Sequence, residues 1–164
     1  MSHAINRLLQ HVFQDKLTGV YNRAFFDQAL KIEQAQAKRY KRPLTLMLID
    51  LDKFKPINDL YGHKVGDQYL RKTAVLLQKG LRETDVISRY GGDEFVALLP
   101  ETDEKTAEKV VQRLKEVFAK NPFIVKKKKI PIHYSLGMKT ESKNFEKLLQ
   151  QADTAMYKEK RGKR

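Results

Sequence analysis

An α/β sandwich is the fold class the sequence predicts, and three observations predict it. Strand-like and helix-like stretches are mixed along the chain rather than segregated. A nearly unbroken apolar run over residues 44–51 reads as a strand buried on both faces, and it ends in Asp50-Leu51-Asp52. Two further apolar runs flank Gly91, Gly92, Asp93 and Glu94 within residues 86–99, the pattern of a hairpin with an acidic tip. Glycine there would supply positive-φ positions for a tight turn and let another molecule approach the backbone. Carboxylates ending a buried central strand are costly without a partner, so a cation is the economical explanation; Asp as a simple strand terminator is the alternative. The acidic pair at the hairpin tip poses a similar choice, between a bound positive charge and a solvated turn.

The remaining elements follow in order. Ile5, Leu8, Leu9, Val12 and Phe13 stand at helical spacing over residues 4–14, a helix too short to be stable alone. It either docks on its own domain or ends a longer coiled coil. Residues 15–23 contain Gly19 and Asn22 and read as a structured turn. A helix is expected over residues 24–40, with Phe25, Ala29, Leu30 and Ile32 inward and Pro43 beyond its end. Residues 56–61 suit a short helix with Pro at its first turn, broken at Gly62-His63. From Gly66 a longer helix should run to Gln78 with Tyr69, Leu70, Thr73, Ala74 and Leu77 on one face. Asp67 would stand at its start, where an N-cap is the plain structural role. His63 has no second His or Cys at ligand spacing and reads as a packing residue.

After the hairpin, Thr102 or Asp103 can cap a helix reaching Ala119, with Val110, Val111, Leu114, Val117 and Phe118 inward. Strands are expected over residues 123–125 and 130–138, either side of the lysine run 126–129. The last helix should start near Asn144 and bury Phe145, Leu148, Leu149, Ala152 and Met156.

Composition bounds the function. The 164 residues, 41% of them hydrophobic, suit one domain with a sizeable core. No apolar run is long enough to span a bilayer, no signal-peptide pattern opens the chain, and there is no cysteine for disulfides or thiolate metal sites. A cytoplasmic location is expected, with no direct membrane insertion. Net charge is +13, from 33 basic and 20 acidic residues, which favours polyanionic partners: nucleic acid, an anionic membrane or phosphorylated small molecules. Lysine runs such as 126–129 are most simply solvated faces.

Four motifs narrow this. R-Y-G-G-D-E-F over residues 89–95 resembles the signature of the GGDEF family, the diguanylate cyclase domains. D-K-L-T-G-V-Y-N-R over residues 15–23 is similar to the family's opening segment, and D-L-D-K-F-K-P-I-N-D-L-Y-G-H-K-V-G-D over residues 50–67 to its substrate segment. A-D-T-A-M-Y-K-E-K over residues 152–160 resembles its closing helix. The match covers nearly everything from residue 15 onward.

The resemblance implies a palm-like fold, a central mixed sheet wrapped by helices and related to nucleotide cyclases and polymerase palms. It divides the chain into a signalling-helix end, residues 1–14, and a GGDEF domain, residues 15–164. An upstream sensory or dimerisation region would then be missing from this chain. The implied reaction condenses two GTP to cyclic di-GMP with release of two pyrophosphates, in a homodimer. Attack of a ribose 3′-hydroxyl on an α-phosphate builds charge that a pair of Mg²⁺ ions (or Mn²⁺) can stabilise, and such ions prefer hard oxygen ligands. Asp50, Asp93 and the Leu51 carbonyl are the implied metal ligands; Asp93 or Glu94 would help deprotonate the hydroxyl. The Gly91-Gly92 backbone would admit phosphate. Asn58 and Asp67 would read guanine, since a carboxylate can accept its N1 hydrogen and 2-amino group, which adenine does not offer. Lys55, Lys160 and Arg164 are candidates for the triphosphate. The family usually closes with Lys, two residues, then Gly-Arg-Asn. Here Gly162 arrives one place early, so either Lys163 or Arg164 fills the Arg role. Arg82 and Asp85 form an R-x-x-D that resembles the family's inhibitory site for the cyclic dinucleotide, with a surface ion pair as the plain alternative.

Two other functions compete. A catalytically silent GGDEF module would bind GTP or cyclic di-GMP and regulate a partner, but Asp50, Asn58, Asp67, Asp93 and Glu94 are all intact. A nucleic-acid-binding domain is suggested by charge alone, without a recognisable module or stacking motif; no nucleic-acid partner is expected.

Overall fold

The computed structural model describes residues 12–163. Most of the helix expected over residues 4–14 lies outside them, as does Arg164. In chain order the elements are β1 (Tyr21–Asn22), α1 (Arg23–Tyr40), β2 (Leu44–Leu51), α2 (Phe54–Tyr61), α3 (His63–Gly80), β3 (Val86–Arg89), β4 (Glu94–Pro100), α4 (Glu104–Lys120), β5 (Phe123–Val125), β6 (Lys128–Ile130), β7 (Tyr134–Glu141) and α5 (Leu148–Gly162).

Five strands form one sheet in the order β1-β3-β4-β2-β7. β1 joins β3 in parallel and every other pairing is antiparallel, so the sheet is mixed, as expected. All eight residues of β2 are buried, and period-two alternation splits them between two cores. Met47, Ile49 and Leu51 pack with Phe95, Ala97 and Leu99 of β4 beneath α3 and α4. Leu44, Leu46 and Leu48 pack with Val96 and Leu98 on the opposite face, against Phe26 of α1 and Leu148, Ala152 and Met156 of α5. Asp50 shares the parity of the second set, which turns it toward α5. On β7 a Cβ at Gly137 would lie 2.0 Å from the Met156 nitrogen and 2.3 Å from the Ala152 oxygen, so only glycine lets α5 lie directly on the strand.

Several expectations need correction. α1 begins at Arg23, capped by Asn22, whose side chain accepts the Phe25 N–H at 3.0 Å. It buries Phe26 and Ala37, while Ile32 is 56% exposed, because the helix meets the sheet one residue round from the expected stripe. α3 starts at His63, not Gly66, so Asp67 lies inside the helix and caps nothing. The strand expected over residues 130–138 is split at Pro131 into β6 and β7, since proline has no N–H for a ladder. Lys126 and Lys127 form the turn between β5 and β6, both at positive φ (47° and 63°), as a two-residue hairpin of the primed type requires. α5 begins at Leu148, four residues later than expected. The other inward faces stand: Tyr69, Leu70, Thr73, Ala74 and Leu77 on α3 and Val110, Leu114 and Phe118 on α4 are buried.

Candidate active site

Strand register makes the site. Asp50, next to last in β2, pairs with Glu94, the first residue of β4, so two carboxylates stand opposite each other on adjacent strands. Like charges so placed are destabilising unless a cation intervenes. The hairpin loop folds back on the same point, and the Leu51 N–H donates to the Asp93 carbonyl at 3.1 Å. Asp50, Leu51, Asp93 and Glu94 are thus neighbours at one end of the sheet.

The loop is held by hydrogen bonds rather than by positive-φ glycines. Neither Gly91 nor Gly92 takes positive φ, contrary to expectation; among the described residues Gly19 and Gly62 are the glycines that do. The Gly91 N–H and the Tyr90 N–H both donate to the Glu94 carbonyl, at 3.2 and 2.8 Å. A Cβ on Gly91 would come within 2.5 Å of Glu94 Oε2, whereas one on Gly92 would meet nothing within 4 Å. Arg89 donates from Nε and Nη2 to the Gly92 carbonyl, at 3.1 and 2.7 Å, and from Nη1 to Asp15 at 3.3 Å. Asp15 also accepts from the Thr18 N–H and hydroxyl, so the entry segment is stapled to the loop.

Carboxylates crowd the end of β2 and the hairpin beside it. Burial and the Asp50 charge push the Asp93 carboxyl above its ordinary pKa, against the pull of Lys160 and Arg89. Burial, Asp50, Asp93 and Asp153 do the same to Glu94. The cation that meets Asp50 is an ammonium: Lys160 Nζ lies 2.6 Å from Asp50 Oδ1. Burial alone would lower the Lys160 pKa, but the bond to Asp50 and the charges of Asp50, Asp93 and Asp52 leave it raised. Lys163, one turn on, reaches Asp52 at 3.3 Å, the Tyr134 carbonyl at 2.5 Å and Glu159 at 2.9 Å.

Beside these carboxylates lies a cavity of about 590 Å³ lined by residues 51–56, Asp93, His133, Lys160 and Lys163. Lys53, Lys55, Lys160 and Lys163 surround it, and α2 starts within it. That combination suits phosphate. Lys55, Lys160 and Asp93 line the cavity as expected, and of the two candidates for the closing cation Lys163 does; Arg164 is outside the described residues. Lys53 and His133 escaped the sequence reading, because a lysine beside Asp52 and an isolated histidine carry no spacing signal. Glu94 faces a different cavity, of about 350 Å³, with Leu48, Tyr90 and Asp153.

Asn58 and Asp67 sit on neighbouring helices. A Cβ on Gly66 would fall 1.8 Å from Asn58 Oδ1, so the missing side chain at Gly66 is what houses the Asn58 amide, one residue from Asp67. This role for Gly66 was not legible in the sequence. At Arg82 and Asp85 the Asp85 carboxylate accepts the backbone N–H of Arg82 at 2.7 Å, and no guanidinium pair joins them among the described residues. Burial raises the Asp85 pKa despite that bond and the nearby Arg82 and Arg113 charges.

The donor chemistry fits a hard divalent cation. Two carboxylates and a carbonyl at one strand end suit Mg²⁺, which keeps waters and takes substrate oxygens as its other ligands. Among the described residues no group of three or more His, Cys, Asp or Glu is placed to hold a metal ion by itself. Nor is any described helix long and apolar enough to cross a membrane.

The chain thus combines a mixed sheet with paired carboxylates at a strand end and a lysine-ringed cavity beside a glycine-containing hairpin. The chain belongs to the GGDEF family: residues 12–164 match the model described as diguanylate cyclase, GGDEF domain. It is 39% identical over 157 residues to diguanylate cyclase DgcP of Pseudomonas aeruginosa, covering 94% of this chain and 23% of that protein. Among solved structures, diguanylate cyclase SiaD of the same organism, in complex with its activator SiaC, superposes with a TM-score of 0.89 at 29% identity, covering 97% of this chain and 62% of that one. The coiled coil and GGDEF domain of DgcB from Caulobacter crescentus, in complex with c-di-GMP, also gives 0.89, at 25% identity, covering 98% of this chain and 87% of that one. The chain spans well under half the length of the curated relatives it matches.

Proposed function

We propose that this domain is a diguanylate cyclase, condensing two GTP into cyclic di-GMP and two pyrophosphates, with each of two facing copies supplying one GTP. The observation that carries this reading is the meeting of Asp50, Leu51 and Asp93 beside a cavity ringed by lysines. Asp50, Asp93 and the Leu51 carbonyl would hold Mg²⁺ or Mn²⁺, two ions per site. Bound there, the ions would offset charge on the attacking and leaving oxygens. Asp93 or Glu94 would accept the 3′-hydroxyl proton; the raised pKa of each makes it a better base than an ordinary carboxylate. Lys55, Lys160 and Lys163 would hold the triphosphate, while Asn58 and Asp67 would read guanine. A cytoplasmic domain working beneath an upstream sensory or dimerisation segment completes the proposal. Incubation with GTP and Mg²⁺, with products separated by chromatography, should give cyclic di-GMP. The specific rate should climb with protein concentration, because one chain carries one set of motifs. A rate independent of concentration in a monomeric sample would contradict the two-copy mechanism.

Gly66→Ala separates recognition from folding. Alanine suits a helix interior better than glycine by about 1 kcal/mol, so the melting temperature should hold or rise. Its methyl must nevertheless displace the Asn58 amide. GTP affinity should therefore fall several-fold more than ATP affinity, as it should in Asp67→Ala, which titration calorimetry can read. Equal losses for both nucleotides would remove Asn58 and Asp67 from base recognition.

Product inhibition at Arg82 and Asp85 belongs to the same proposal. With its carboxylate spent on a backbone N–H, Asp85 shapes the turn and leaves the Arg82 guanidinium able to fork onto phosphate or a guanine edge. Arg82→Ala should relieve inhibition by added cyclic di-GMP while sparing the basal rate. Unchanged inhibition would return the pair to a structural turn.

A further inference from the structure

Lys160, a candidate for phosphate, is bound to a carboxylate expected to hold metal. α5 reaches that point because Gly137 lets it lie against β7, and its last turn presents Lys160 and Lys163 three residues apart on one face. Lys160 Nζ is 2.6 Å from Asp50 Oδ1, and the Asp50 side chain is only 9% exposed. A carboxylate so buried is expensive to leave unpaired. The two lysines are held very differently. Lys163 is shared among Asp52, Glu159, the Tyr134 carbonyl and the Ser135 hydroxyl, whereas among the described residues Lys160 Nζ hydrogen-bonds to Asp50 alone. Lys163 has several partners; Lys160 has one hydrogen-bonding partner among the described residues.

We infer that Lys160 is an exchangeable counter-ion: it neutralises Asp50 until a divalent cation takes its place, and the released ammonium then serves the triphosphate. This rests on the reading of Asp50 as a metal ligand. Metal and triphosphate become partners by linkage, since the metal frees the lysine that the phosphates need and the phosphates hold the lysine away from the carboxylate that the metal needs. Lys160 therefore weakens binding of the cation alone and strengthens binding of the cation with nucleotide. One residue acts in opposite directions on the two events.

The opposite signs make the test. Mn²⁺ binding without nucleotide is measured by the paramagnetic resonance of the free ion, on wild type and Lys160→Gln, each checked for folding by thermal melting. The variant should bind Mn²⁺ about fivefold tighter or more, the lower end of ordinary site-to-site coupling. The gain should vanish when Asp50→Asn is added, and GTP with Mn²⁺ should bind the single variant more weakly than wild type. Lys163→Gln removes the same charge one turn away and should give a clearly smaller gain. Equal Mn²⁺ affinity in wild type and Lys160→Gln would overturn the exchange. So would a gain that survives Asp50→Asn, or one that Lys163→Gln matches. Failure of the cyclase reading is seen separately, as absence of cyclic di-GMP from wild type while the Mn²⁺ gain persists.

Discussion

Asp93→Asn is expected to cut cyclic di-GMP formation roughly a thousandfold, the scale of losing a group aimed at transition-state charge, without unfolding the domain. The loop does not depend on the carboxylate, because the Asp93 backbone carbonyl is what accepts the Leu51 N–H. The carboxylate is itself disfavoured where it stands, by burial and by Asp50. A neutral amide of the same shape should leave the melting temperature unchanged or raise it slightly. Turnover within a few-fold of wild type, in a variant that melts normally, would take Asp93 out of the mechanism.

Gly137→Val should be the most damaging change far from any ligand. Even a single Cβ there would lie 2.0 Å from the Met156 nitrogen and 2.6 Å from its Cα, and helix backbone cannot swing aside as a side-chain tip can. Overpacking of this kind costs about 3 kcal/mol, which for a chain of this size lowers the melting temperature by roughly 6–12 °C. The loss should reach the site as well, since lifting α5 off β7 withdraws Lys160 from Asp50 and Lys163 from Asp52. Thermal melting and GTP titration on the same preparation would check both effects. An unchanged melting temperature would mean that α5 can shift without cost, and that its contact with β7 does not position the lysines.

What could be read from the sequence follows from how local each signal is. β2 was legible because burial on both faces demands an unbroken apolar run, and the hairpin because its two strands are neighbours in the chain. Local pattern misled where distant contacts decide. Gly66 reads as the start of a helix, yet it stands inside α3, where the Asn58 side chain occupies the space its own would fill. Phe26 and Phe25 are equally plausible inward residues by spacing, and only the sheet beneath α1 selects Phe26. The four motifs name the candidate site residues, but the pairing of Lys160 with Asp50, 110 positions apart, carries no local signal. Parity along β2 turns Asp50 toward one face; which helix covers that face is a property of the whole fold.

The measurement that tests the account most directly is the stoichiometry of products from GTP and Mg²⁺, taken on wild type and Asp93→Asn side by side at high protein concentration. The account predicts two pyrophosphates for each cyclic di-GMP from wild type and neither product from the variant, with GTP still bound by both. Wild-type protein that binds GTP tightly and releases neither product would contradict it, and would make the domain a silent nucleotide-binding module.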